Sequence, residues 1–219
     1  MVLDSYLTQN SKDEYFRLYQ WSQPTLSLGI TNKISELNLD SIRKKNISVI
    51  YRETGGGVVF HDGDLCFSFI NNMHVKPKEN YNFIKKTLEK ILFELGNNIT
   101  KTYDINIKSS VCFHGSNTHE ISIDNQKRVG IAQKVIKKRY LIQGSIQLKT
   151  CSLEDILSNN KKIVQYGLND IKFESLKEKI YNTFAILHNL VDIIDSDILR
   201  KQDYIEFKQK NKHRFYKED

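Results

Sequence analysis

With 219 residues, 39% of them apolar and 11 each of Phe and Tyr, the chain can fill the core of one folded domain and is too apolar to be disordered. No apolar run approaches the roughly 20 residues that cross a bilayer, and the opening MVLDSYLTQNSKDEYF has no basic stretch followed by a long apolar one, so a soluble, unprocessed protein away from the membrane is expected. A formal charge of +7 and a pI near 9.1 admit nucleic acid or acidic proteins as partners without choosing between them, and an excess of solvated lysines accounts for the charge equally well.

In chain order, residues 16–21 and 25–29 read as short strands around Gln23-Pro24, and Asp40-Ser41 opens a short helix toward Arg43, Lys44 and Lys45. Residues 47–51, 58–60 and 65–70 are apolar, β-rich runs separated by glycines and by His61-Asp62-Gly63-Asp64. From about Asn80, Phe83, Ile84, Leu88, Ile91, Leu92 and Leu95 recur at helical spacing with lysines and glutamates opposite, up to Gly96. Residues 103–107, 119–123, 128–135 and 140–148 read as strands, with Asp124-Asn125 as a hairpin turn. Ser152 and Asp155 have the spacing of a capping box, and Leu176, Ile180, Phe184, Leu187 and Val191 mark the inner face of a second long helix. Residues 195–219 read as a polar helix with a basic tail, still within one domain spanning 1–219. Strands cluster and helices follow, which predicts an α+β fold.

Cys66, Cys112 and Cys151 cannot all pair, and they have neither paired zinc-site spacing nor the density of a secreted disulfide scaffold. A reducing, cytoplasmic setting is therefore expected. Cys112, His114 and His119 make a poor zinc site for want of a fourth ligand, so no metal is expected there. Cys66 reads as strand packing and Cys151 as a residue outside any motif.

Three elements can carry chemistry. In Arg52-Glu53-Thr54-Gly55-Gly56-Gly57, placed between two strands, the glycines can take positive φ and present bare N–H groups to phosphate or carbonyl oxygens, with Arg52 as a positive charge beside them. An unliganded glycine-rich hairpin is the plainer alternative. In Lys127-Arg128-Val129-Gly130-Ile131-Ala132-Gln133, the amine of Lys127 can hold a carbonyl or phosphate where Gly130 and Ala132 leave room; a solvated hairpin lysine is the commoner fate. The strand around Gln143-Gly144-Ser145 is broken by a glycine, which points to a bulge or a close backbone approach.

Taken together and in this order, these elements resemble the lipoate-protein ligases and the related octanoyl and lipoyl transferases. The first signature of that family, R-R-x-[ST]-G-G-[GR]-x-V-x-H-D, aligns with Arg52, Thr54, Gly55, Gly56, Val59, His61 and Asp62. The second, K-[IV]-[SA]-G-[SN]-A-Q, aligns with Lys127, Gly130, Ala132 and Gln133, and a following strand ending H-G-[ST] aligns with Gly144-Ser145. Met1-Val2-Leu3-Asp4 and Thr25-Leu26-Ser27-Leu28-Gly29 resemble the N-M-x-x-D and P-T-x-S-L-G of the family, so the likeness spans residues 1 to about 190. Tyr51, Val129, Ile131 and Gln143 depart from the pattern, where Arg, Ser or Ala, Ser or Asn, and His are usual.

The resemblance implies a biotin/lipoate protein ligase-type catalytic domain with mixed and antiparallel sheets covered by helices. It implies an acyl site built from Arg52, Thr54, Gly55, Gly56, Gly57, His61, Gly130, Ala132, Gln133, Gly144 and Ser145, with Lys127 on the acyl carbonyl or acyl phosphate. The spacing His61-Asp62-Gly63-Asp64-Leu65-Cys66-Phe67-Ser68 resembles H-D-x-x-L-x-x-S of the Gram-positive octanoyltransferases, and Cys112-Phe113 stands where those place a nucleophile. That reading takes octanoyl or lipoyl from an acyl carrier protein or lipoyl protein, through Cys112, to a lysine of a lipoyl domain or glycine-cleavage H protein, with no cofactor and no nucleic acid. His114 is a candidate proton carrier for the thiol. The alternative within the family is a lipoate-protein ligase that uses ATP and Mg to form an adenylate, in which Cys112 only packs.

Overall fold

The computed structural model describes residues 1–100, 120–159, 162–168, 171–188 and 201–212. Its centre is a six-stranded antiparallel sheet in the order β1-β5-β9-β8-β7-β6, formed by β1 (Tyr15–Tyr19), β5 (Leu65–Asn72), β6 (Ile99–Thr100), β7 (Ile121–Ile123), β8 (Gln126–Ile136) and β9 (Arg139–Ile146). A second, mixed sheet has the order β3-β2-β4: β2 (Thr25–Leu28) runs parallel to β3 (Ser48–Tyr51) and antiparallel to β4 (Val59–His61). The small pair β10 (Cys151–Leu153) and β11 (Ile163–Gln165) completes the α+β architecture.

Side chains alternate across a strand, so one face of the central sheet is apolar and the other largely polar. Leu65, Phe67 and Phe69 of β5, Val129 of β8, and Ile142 and Ile146 of β9 share one core with α3 (Pro77–Glu94) and α4 (Phe173–His188). α3 begins on Pro77, at a position where a missing N–H costs nothing, and buries Ile84, Leu88, Ile91 and Leu92. Gly96, at φ +87, takes the left-handed conformation that follows a helix end. α4 buries Leu176, Ile180 and Phe184 as the spacing predicts, but Leu187 is 50% exposed, and Val191 lies outside the described residues. Phe83 is also exposed rather than inward. No described helix is long and apolar enough to cross a membrane.

Several elements differ from expectation. α1 (Val2–Asn10) carries inward Asp4, Ser5 and Thr8 among its buried residues, so it shows little apolar periodicity for a sequence reading to find. The Ser152/Asp155 spacing caps no helix: Cys151–Leu153 is a strand that turns Cys151 and Leu153 toward the second core, and Asp155 has φ +62, outside helical geometry. The short helix α2 (Leu39–Lys44) is capped by Asn38, whose side chain accepts from the Ser41 N–H, rather than opened by Asp40-Ser41. α5 (Gln202–Lys210) is less wholly polar than its composition suggests, since Tyr204 and Phe207 meet the ring of Tyr6 on α1 edge to face. The expected strand at 103–107 lies outside the described residues. Asp124-Asn125 does turn the β7–β8 hairpin, with φ of 50° and 61°, and Lys137-Lys138 turns β8 into β9 with φ of 48° and 61°.

Candidate active site

The polar face of the central sheet is organised in two rungs across β5, β9 and β8. Cys66 pairs with Ser145, which pairs with Gly130; one step along, Ser68 pairs with Gln143, which pairs with Ala132. Small residues in these rungs leave space over the sheet, and a cavity of about 650 Å³ opens there, within the range of small-molecule sites. Its walls include Gly130, Ala132 and Gln133 of β8, Gln143, Gly144 and Ser145 of β9, Arg52, Gly55 and Gly56 of the glycine loop, and His61.

Arg52 braces this loop. Its guanidinium is 7% exposed; Nη2 donates to the carbonyls of Gly55 (2.9 Å) and Gly57 (2.7 Å), and Nη1 donates to Ser27 O (2.8 Å) and Oγ (3.1 Å). Of the three adjacent glycines only Gly56 has positive φ, at 94°. Gly29 is needed for a different reason, because a Cβ there would lie 2.1 Å from Gly56 O. Lysine in place of Arg52 would keep the charge but lose the planar fork. Arg52→Lys is expected to lower stability by about 1–3 kcal/mol, as buried carbonyls lose donors; thermal unfolding of the two proteins measures it.

Thr54 and Gly57 do not line the cavity. Thr54 is buried and donates from Oγ1 to Gln143 Oε1 (3.0 Å), and Gln143 Nε2 donates to Asp4 Oδ2 (2.8 Å). Ser68 Oγ donates to Asp4 Oδ1 (2.9 Å), and Arg17 Nη1 donates to the same oxygen. Gln143, a departure from the family pattern, thus links the glycine loop to α1, alongside the direct hydrogen bond from Ser5 Oγ of α1 to Glu53 Oε1 (2.8 Å). Burial alone would raise the Asp4 pKa, but Arg17 and the hydrogen bonds from Gln143 and Ser68 outweigh it and hold the carboxylate below its usual range.

Lys127 is buried rather than solvated, with Nζ donating to Glu120 Oε1; Glu120 lines the cavity. Cys112, His114 and His119 lie outside the described residues. Cys112 precedes Glu120 by eight positions in the chain.

His61 is the centre of a buried group that the sequence reading did not assemble. Its Nε2 lies 2.7 Å from Ser27 Oγ and its Nδ1 2.7 Å from Asp64 Oδ2. Cys66 Sγ donates to Asp64 Oδ2 (3.2 Å), as does Ser145 Oγ. Burial, and then the adjacent Asp64, push the Cys66 thiol well above its ordinary value, so it stays protonated at neutral pH. The expectation that Cys66 only packs is therefore incomplete: it is 1% exposed, yet it lines the cavity together with His61. Sharing a strand face with Ser68, two residues on, is the signal that could have revealed it.

The profile of the lipoyl protein ligase A/B catalytic domain matches residues 1–192. Octanoyltransferase LipM of Clostridioides difficile is 30% identical over 196 residues, covering 84% of this chain and 70% of its own length. A Mycoplasma pneumoniae protein assigned as lipoate-protein ligase A is 31% identical over 191 residues, covering 84% of this chain and 51% of its own. A solved T. acidophilum protein assigned as a lipoate protein ligase, with lipoic acid bound, shares the fold at TM-score 0.76 and 18% identity, over 96% of this chain and 87% of that one. The chain belongs to the lipoyl protein ligase A/B catalytic domain family. It spans between about half and seven tenths of the length of these two curated relatives.

Proposed function

We propose that this chain transfers an octanoyl or lipoyl group from a thioester to a lysine of an acceptor protein by way of Cys112. The observation that carries the reading is the cavity of about 650 Å³ over the polar face of the sheet, floored by Gly130 and Ala132 and lined on one side by Gly55 and Gly56 of the Arg52-braced loop. A cavity with Gly130 and Ala132 in its floor leaves room for an acyl chain to lie against the backbone. In the first step the Cys112 thiolate attacks the acyl carbonyl carbon of an acyl carrier protein or lipoyl protein. A C–S bond forms to Cys112, the C–S bond to the carrier breaks, and the departing carrier thiolate takes up the proton that Cys112 released on becoming a thiolate. In the second, the acceptor's lysine amine attacks the acyl-enzyme, an amide forms, and Cys112 recovers the amine's proton. Thioester exchange is nearly isoenergetic and amide formation runs downhill, so this route needs no ATP. Lys127 exchanges Glu120 for the developing carbonyl oxyanion. Acceptors are lipoyl domains or glycine-cleavage H protein, whose acidity complements a +7 chain.

A second reading has support from the ligase relative, which is as similar to this chain as the transferase is. In it, ATP and Mg activate free lipoate as the adenylate, with Lys127 on the acyl phosphate. Intact-protein mass spectrometry after mixing with octanoyl-acyl carrier protein, without ATP or acceptor, separates the two. Transfer through cysteine gives a thioester-linked octanoyl adduct that is lost in Cys112→Ser. Absence of the adduct, with ATP-dependent loading of a lipoyl domain from free lipoate, would establish the ligase instead.

A further inference from the structure

We propose that His61, Asp64 and Cys66 form a binding site for a thiophilic divalent cation of the zinc type in the wall of the cavity. They are the only such group of potential ligands among the described residues, with one ligand atom from each lying within 4.8 Å of the others. Their donor atoms form a triangle with edges of 2.7 Å (His61 Nδ1 to Asp64 Oδ2), 3.2 Å (Cys66 Sγ to Asp64 Oδ2) and 3.4 Å (Cys66 Sγ to His61 Nδ1). A tetrahedral zinc with Zn–N near 2.0–2.1 Å and Zn–S near 2.3 Å needs edges of about 3.3 Å for N and O and about 3.5 Å for the pairs with sulfur. Opening the triangle by roughly 0.1–0.6 Å per edge therefore turns a hydrogen-bonded face into a coordinating one.

A second observation points to a cation. Asp64 is 1% exposed, and its Oδ1 is buried without a hydrogen-bond partner while Oδ2 accepts from His61, Cys66 and Ser145. A buried carboxylate oxygen left without a donor is costly, and an ion chelated by both oxygens of Asp64 would bind through Oδ2 at this face and give Oδ1 the partner it lacks. The charges also balance. On binding, the Cys66 thiol gives up its proton to solvent, and one dication meets one thiolate and one carboxylate, so the buried group is neutral. His61 can present Nδ1 as a lone pair because Ser27 Oγ, 2.7 Å from Nε2, can accept from that nitrogen as readily as donate to it. His61 and Cys66 both line the cavity, which gives the ion its route in and leaves a position for an outside ligand. The site does not rest on the acyl-transfer reading.

Titration with Co²⁺ tests the site directly. In the full chain carrying Cys112→Ser and Cys151→Ser, Cys66 is the sole remaining thiol of three. The expected result is a thiolate-to-cobalt charge-transfer band that saturates at one equivalent, is bleached by Zn²⁺, and is lost when Cys66→Ser is added. Ser27→Ala, by freeing the other ring nitrogen, should weaken the affinity roughly 10- to 100-fold. Absence of the band from the protein with Cys66 as its only thiol, or its persistence after Cys66→Ser, would overturn the proposal. Circular dichroism confirms that each variant is folded, and should Cys66→Ser not fold, the variant with Cys66 alone decides.

Discussion

Asp4→Ala is expected to cost the fold about 3–5 kcal/mol, the usual penalty for breaking a buried ion pair and a large share of the roughly 5–15 kcal/mol that holds a domain together. Asp4 is fully buried and accepts from Arg17, Ser68 and Gln143. Removing it strands three donors and leaves the Arg17 guanidinium, 26% exposed, without its counter-charge. The acid limb of stability carries a signature of the same group. Because the folded-state pKa of Asp4 lies below its ordinary value of 3.8, its contribution is complete above that value. It is lost as pH falls from there toward the folded value. Urea unfolding of wild type and Asp4→Asn at pH 7 and at successively lower pH measures this share. The wild type should lose stability more steeply below pH 3.8; parallel curves, or an Asp4→Ala cost below about 0.5 kcal/mol, a surface-like effect, would refute the assignment. Asp4→Ala also releases Gln143 from one partner, so the glycine loop, tied to Gln143 through Thr54, should be held less firmly and, under the proposed function, octanoate should bind less tightly.

Gly144→Ala is the second large effect. Gly144 lies in β9 opposite Phe67 of β5, and a Cβ there would sit 2.2 Å from Phe67 Cζ, 2.3 Å from Cε1 and 2.9 Å from Gly130 O. Phe67 is completely buried in the core under α3 and α4, so the ring has no free direction in which to withdraw. Overpacking of this kind costs about 1–3 kcal/mol and more where the neighbours are rigid. Phe67→Leu removes the ring atoms in question, so the double variant should be less destabilised than the two single changes added together. A coupling of at least about 0.5 kcal/mol in denaturant unfolding is expected; strict additivity would mean that the strand shifts instead.

The β-rich runs were legible as short apolar stretches bounded by glycines and turn residues, although β2, β4, β5 and β9 are buried on both faces rather than alternating. α3 and most of α4 were legible because their burial follows a period of 3.6. Gly144 is expected from the sequence to mark a bulge or a close backbone approach; β9 pairs through it without a register shift, and what presses on it most closely is the ring of Phe67, with the Gly130 carbonyl behind. What stayed hidden was of another kind. α1 turns Asp4, Ser5 and Thr8 inward, and their value depends on Arg17, Ser68 and Gln143, residues up to 139 positions away. The buried position of Lys127 depends on Glu120, whereas His61, Asp64 and Cys66 meet locally where β4 turns into β5, and the pairing of β5 with β9 adds only Ser145 to them. Motif residues indicated where a site would be, but polar partners across strands decide which of them face the cavity and which brace it.

The turn at Lys137-Lys138 gives the architecture an unexpected point of vulnerability. It sets the pairing of β8 with β9, and a slip of one residue there would exchange the two faces of β8. Val129 and Ile131 would then crowd the space now left by Gly130 and Ala132. A single inserted residue in two exposed lysines, at the far end of the hairpin, can therefore erase the binding chamber without altering any amino acid that lines it.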